Sequence, residues 1–199
     1  QRSEYYSQAK ERETFQTQFS DVQDYLRSLS LRMRFLRNPQ QHVARLAQLT
    51  QKTNQFNLTT HRYTEADIQR FLEGSEHRVF AFEVEDKFGS YGLTGASIVS
   101  LTDKQAEIDT FLMSCRVIGQ SLEKQFFTQI VTQLASRNTK TLRGTYIPTE
   151  KNVLVRGFYE DCGMQLISTN ESSGRKDYAA TLDDLSRDLL DYIKVEIID

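Results

Sequence analysis

The chain has no tryptophan, two prolines, two cysteines and three histidines among its 199 residues. Two cysteines, Cys115 and Cys162, cannot form a disulfide scaffold, so a packed core has to supply the stability. Both are expected as reduced thiols in a cytoplasmic protein. The histidines, His42, His61 and His77, are scattered and, with two distant cysteines, offer no zinc-ligand spacing, so no metal is expected. No apolar run approaches the roughly 18 residues that a membrane span requires, which argues against a membrane partner. Neither sign of charge dominates: 25 basic and 27 acidic residues leave a net charge of -2. A balance that close provides no global field for nucleic acid. The chain opens at Gln1 with no Met and no apolar leader, and it reads as a piece of a longer protein. What remains is 38% hydrophobic and 26% charged, a globular composition.

No glycine occurs before Gly74, and Pro39 is the only proline before Pro148. Residues 1–50 therefore read as a helical or linker extension, and residues 51–199 as the main domain. Phe15, Phe19, Val22 and Leu26 form one apolar stripe, which predicts a helix from Tyr5 to Leu26. Leu29 to Arg37 alternates like a strand. Asn38-Pro39 breaks it, and Val43, Leu46, Ala47 and Leu49 give the next helical stripe. Arg27, Arg32, Arg34, Arg37 and Arg45 fall in a stretch without an acid. They form a solvated face or a surface for a phosphate or an acidic partner domain. Thr64 and Asp67 have capping-box spacing ahead of a helix to Leu72. Strands follow at 78–86, 93–101 and 107–115. A helix with a strong 3.6-residue period spans Leu122 to Leu134, and a strand covers 141–147. A short helix at 152–161 stops before Gly163. A hairpin at 165–182 precedes a terminal helix carrying Leu182, Leu185, Leu189, Ile193 and Ile197. Strands interspersed with helices predict one mixed α/β sheet.

The stretch that suggests chemistry is Cys115-Arg116-Val117-Ile118-Gly119-Gln120-Ser121. It lies between a strand and an apolar helix. A loop of this form presents backbone N–H groups at a helix N-terminus, where they suit a phosphate. Gly119 permits close approach, and Ser121 is small. The arrangement resembles the pyrophosphate loop of the GNAT acyltransferases, with Arg116, Gly119 and Ser121 on its pattern and Ser in place of Gly or Ala. That resemblance implies a GNAT-like mixed sheet flanked by helices, with an N-terminal helical extension. It also implies that coenzyme A or a phosphopantetheine is bound by Arg116, Val117, Gly119, Gln120 and Ser121. Asn152 would contact the pantetheine, and Tyr159 would protonate a leaving thiolate.

A narrower resemblance rests on Gln51 to Thr60, Ser114 to Gly119 and Tyr146 to Asn152, which together look like the FkbH-like family. Proteins of that family carry an upstream phosphatase domain of the haloacid-dehalogenase type. The likeness implies glyceryl transfer from a phosphoglycerate donor to an acyl carrier protein. The upstream nucleophile motif is absent here, so this chain resembles the carboxy-terminal portion alone. Its implied partners are that phosphatase domain and the carrier protein.

Residue by residue, Cys115 is either a small core residue or an acyl-carrying thiolate activated by Arg116 and the helix dipole. Cys162, before Gly163, reads as core. Asn54, Gln55 and Asn57 either cap a loop or bind glyceryl hydroxyls. Asp109 is either a surface acid or a catalytic acid pointing the same way as Cys115. His61 is the best base among the histidines, and its first reading is a plain surface residue. Two rival functions stay open: a non-catalytic carrier-protein docking module, and an acetyl-coenzyme A N-acetyltransferase whose base would be Asp109 or Glu83.

Overall fold

The computed structural model describes residues 2–137 and 139–199. Where one helix from Tyr5 to Leu26 is expected, the chain forms two: α1 (Arg2–Gln16) and α2 (Val22–Ser28). Asp21 makes the break, because its carboxylate caps α2 by accepting from the amides of Gln23 (2.7 Å) and Asp24 (3.1 Å). The apolar stripe doubles back on itself: Phe15 meets Phe19 edge to face at 4.9 Å, and both approach Tyr25. Helix α1 is fastened by Arg12, which donates to both carboxylate oxygens of Asp86 (2.6 and 2.9 Å) and lies over the Tyr91 ring.

The remaining elements are β1 (Leu31–Arg37), α3 (Val43–Lys52), β2 (Phe56–Asn57), α4 (Glu65–Glu73), β3 (His77–Asp86), β4 (Gly89–Leu101) and β5 (Gln105–Met113), then α5 (Leu122–Ala135), β6 (Thr141–Tyr146), α6 (Phe158–Asp161), β7 (Gln165–Thr169), β8 (Lys176–Thr181) and β9 (Ile193–Ile198). The strands form one mixed sheet in the order β7-β8-β6-β5-β4-β3-β1-β9, with β2 paired to β5. β5 and β6 run parallel, as do β1 and β9, and the other pairs are antiparallel.

Each face of the sheet has its own core. On one face α5 buries Phe126, Ile130, Val131 and Leu134 against Phe35, Phe82 and Phe111. Each such side chain contributes about 1.5–3 kcal/mol on leaving water. On the other, α3 and α4 pack Leu46, Ile68 and Leu72 over Val79, Ala81 and Leu112. The capping box of Thr64 and Asp67 starts α4 as its spacing predicts.

Two expectations are corrected. The terminal helix is absent: after a 3₁₀ turn at Leu182–Asp184, residues Ile193–Ile198 form β9, an edge strand parallel to β1. The stretch before residue 50 is also more than an extension. β1 sits inside the sheet between β3 and β9, and a boundary at residue 50 falls within α3. Of the five arginines, four lie beside acids: Arg27 with Asp191, Arg32 with Glu85, Arg34 with Glu83 and Arg37 with Asp199. These acids come from β3 and from the C-terminal stretch that includes β9, so the basic run is neutralised across strands.

Candidate functional site

At the end of β5 the chain turns through a 3₁₀ turn at Cys115–Val117. Ser114 Oγ organises it, accepting from the amide (3.5 Å) and Nε (3.2 Å) of Arg116. Gly119 has a φ of +89°, and a Cβ there would meet open space, so the loop's surface is unobstructed. Ser121 has a left-handed φ of +57° and gives α5 no side-chain cap. Val117 is buried in the core and can offer a ligand only its backbone. Gln120 is turned toward Tyr91, donating to its hydroxyl at 3.2 Å.

Beside this loop lies a cavity of about 540 Å³. Its far wall is α3, which brings Arg45, Gln48 and Lys52, and the following segment adds Asn54 and Gln55. Cys115 and Arg116 face them. Among the described residues the lining includes three cations and no carboxylate. Arg45 is anchored by Gln48 and by the Leu93 carbonyl (3.2 Å). Burial, together with the nearness of Arg116, depresses its pKa. The Asn54 carboxamide oxygen accepts from Arg62. Cys115 is exposed, whereas burial pushes the Cys162 thiol up to about 12.

β5 and β6 pair only over Gln105–Ile108 and Thr141–Gly144, then part. Residues 56–58 insert between them. Phe56 and Asn57 pair with Met113 and Leu112, the Leu58 amide donates to the Phe111 carbonyl, and the Ile147 amide donates to the Leu58 carbonyl. Asn152, fully buried, locks this insertion. Its amide donates to the carbonyls of Asn57 and Ile147 (both 2.9 Å), and its carbonyl accepts from the Thr149 amide and the Tyr146 hydroxyl. Asn57 is equally committed, donating to the Thr53 carbonyl and accepting from the Thr60 amide. Both asparagines hold backbone: Asn57 takes the loop-capping role among its two readings, and Asn152 does not reach a pantetheine.

Beyond the insertion is a second cavity of about 360 Å³, which includes Thr59, His61, Glu107, Asp109, Thr145 and Arg175 in its lining. A β-bulge creates it. Ile108 pairs with Val99 and Thr110 with Ile98, which leaves Asp109 without a partner in β4 and re-aims its side chain. Asp109 therefore does not share Cys115's cavity. His61 Nδ1 lies 3.1 Å from Asp109 Oδ1, while Tyr63 (2.7 Å) and Thr110 (2.8 Å) donate hydroxyls to Oδ2. Burial opposes the Asp109 charge, but these hydrogen bonds outweigh it and its pKa is depressed. The hydrogen bond to Asp109 raises the pKa of His61. With Nδ1 engaged, Nε2 is the nitrogen available to a ligand.

Tyr159 belongs to neither cavity. Its ring packs under Gly144, where a Cβ would come within 2.5 Å of it, and beside Tyr178. It is fully buried, and desolvation drives its pKa well above the ordinary value. A hydroxyl so placed cannot protonate a thiolate at the loop. Among the described residues, no group of three or more His, Cys, Asp or Glu side chains is placed to hold a metal ion, and no helix is long and apolar enough to cross a membrane. Sequence reasoning missed Arg45 and Lys52 as one cationic face, although their i, i+7 spacing on α3 signals it. It also missed Tyr63, two residues after His61 in extended chain.

No protein-family model and no curated protein matches the chain. Solved structures match its fold. The ribosomal-protein-S18-alanine N-acetyltransferase of Escherichia coli superposes with a TM-score of 0.58 at 11% identity, over 75% of this chain and 94% of that one. A spermidine N-acetyltransferase from Vibrio cholerae gives 0.56 at 14% identity, over 77% and 95%. An acetyltransferase of the GNAT family from Staphylococcus aureus gives 0.53 at 12%, over 75% and 99%. The mixed sheet flanked by helices is thus the fold of the GNAT acetyltransferases.

Proposed function

We propose that this chain is an acyltransferase domain of the FkbH-like kind, which passes a glyceryl group to the phosphopantetheine thiol of an acyl carrier protein. The observation that carries this reading is the exposed Cys115 thiol in a cavity lined by cations and carboxamides. In the first step the Cys115 thiolate attacks the acyl carbonyl. A C–S bond forms as the bond to the donor's leaving group breaks, and the leaving group departs with the bonding electrons. In the second, the carrier thiol sulfur attacks that thioester. The bond to Cys115 breaks, and the proton of the carrier thiol passes to the Cys115 sulfur. Asn54, through its amide nitrogen, and Gln55 line this cavity and would receive the glyceryl hydroxyls. The open loop at Gly119 and the uncapped start of α5 suit the arm's phosphate, or that of coenzyme A. The upstream phosphatase domain would supply the dephosphorylated glyceryl group.

A second reading is an acetyl-coenzyme A N-acetyltransferase. The Asp109–His61 pair favours it, because an amine acceptor needs a base within hydrogen-bond reach. Intact-mass analysis after incubation with a glyceryl thioester, or with acetyl-coenzyme A plus an amine, separates the readings. The thioester reading expects a hydroxylamine-labile mass gain on the protein that Cys115→Ser abolishes. An acetylated amine with an unmodified protein sinks it in favour of the base-catalysed reading. No transfer to either leaves the carrier-docking module.

A further inference from the structure

The cavity beside Cys115 contains a pair of cations that the acyl step does not use. Arg45 and Lys52 lie seven residues apart on α3, so both project from one helical face toward the loop. Arg116 enters the same space from the opposite wall, and the lining contains no carboxylate among the described residues. Like charges gathered in a partly desolvated pocket repel each other, and that repulsion is relieved by an anion between them. Arg45 feels it: its pKa is depressed by burial and by the Arg116 charge. Gln48 and the Leu93 carbonyl hold the guanidinium in place, so it is a rigid donor. The carboxamides of Gln48, Asn54 and Gln55 add neutral polar groups to the same wall. The cavity around His61 and Arg175 differs: Glu107 and Asp109 belong to its lining.

The geometry points to a phosphoryl-binding site on the α3 side of Cys115, formed by Arg45 and Lys52 across from Arg116 and distinct from the amides of the Gly119 loop. Its ligand class is a phosphate monoester or acyl phosphate dianion. A guanidinium can grip two phosphate oxygens at once, and an ammonium adds a point charge. The inference deepens the reading of this cavity as the acyl-transfer site, because it names what the cavity holds beside the thiol. The dianion can come from two sources: the phosphate of a pantetheine arm, or the leaving phosphate of a phosphorylated acyl donor.

Titration calorimetry on the Cys115→Ser chain tests the site, since that background removes covalent transfer and leaves only binding. Inorganic phosphate is expected to bind, with an affinity that falls as salt rises. Arg45→Gln and Lys52→Gln are each expected to weaken it about tenfold, and Arg45→Lys to lose less than Arg45→Gln. Arg143→Gln removes the same charge from β6, outside this cavity's lining, and is expected to leave binding unchanged, with a thermal melt confirming that every variant folds. Phosphopantetheine and acetyl phosphate then serve as separate probes. Whichever loses affinity in Arg45→Gln identifies the source, and either result supports the site. Equal phosphate affinity in Arg45→Gln, Lys52→Gln and their parent overturns the inference, as does an equal loss in Arg143→Gln. Since no acyl group moves in these measurements, they can fail while Cys115 still takes up a label in the mass experiment, and the reverse also holds.

Discussion

On one side of residues 56–58, Cys115 stands exposed among cations. On the other, His61, Tyr63 and Thr110 converge on Asp109 and engage both oxygens of its carboxylate. Strand β5 supplies both: its end carries the thiol and its bulge the acid. The first cavity sets an exposed thiol beside Arg45, Lys52 and Arg116. The second satisfies its own charge internally and presents one imidazole nitrogen. A thiol that must meet a large acyl group gains from openness. A base gains from being held in one tautomer and one orientation.

The largest effect is expected from removing the divider. Asn152→Ala leaves two carbonyls, an amide and a hydroxyl without their partner in a buried place. It should cost about 3 kcal/mol or more, read as a fall in the urea midpoint. A loss below about 1 kcal/mol would mean that the insertion is held by other contacts.

The next contrast is between the thiols. With its pKa pushed up to about 12, Cys162 is roughly one part in ten thousand thiolate at pH 8, and it is half-buried. Iodoacetamide should therefore modify Cys115 at least about a hundredfold faster in the folded chain. Equal rates by peptide mapping would remove the basis for choosing Cys115.

Asp109→Asn addresses the second cavity. It should destabilise the chain by about 1–2 kcal/mol through weakened charge-assisted hydrogen bonds. The folded pKa of His61 lies above its unfolded value near 6.5, so the pair's contribution is fully present below that pH. It is lost as pH rises through the folded pKa. The gap between wild type and Asp109→Asn should accordingly be wider at about pH 5.5 than at about pH 9. The change is less than about 1 kcal/mol because the ring is two-fifths exposed. NMR titration should show the His61 pKa falling in the variant. A gap that widens with pH would contradict the assigned pairing. The smallest effect is expected on the neutralised stripe: Arg34→Ala should cost less than about 0.5 kcal/mol, because its pairs are exposed. A loss above about 1 kcal/mol by urea titration would make that face a structural network.

Much of this architecture was legible locally. The alternation in Leu31–Arg37, the 3.6-residue period of α5, the capping box of α4 and the loop at Gly119 all came from neighbours within a few residues. The placing of Cys162 near a helix end came the same way, whereas Cys115, expected as the last residue of a strand, falls in the 3₁₀ turn that follows β5. β9 was not legible as a strand. Its apolar residues continue a helix-like spacing from Leu182, and its only partner is β1, at the other end of the chain. Asp109 was misdirected for a related reason: two-residue alternation assumes an unbroken ladder, and a bulge changes which side a residue faces.

By itself, then, the sequence determined the class of fold, the order of the elements between β1 and β8 in outline and the loop that ends β5, because periodicity and turn chemistry act over a few residues. Tertiary structure alone decided which candidates meet. It set Arg45 and Lys52 opposite Cys115, brought His61 and Tyr63 to Asp109, and turned Asn57 and Asn152 inward to hold backbone. Pairings between strands and helices far apart in sequence depend on register and packing across the whole sheet, and no local window of residues encodes them.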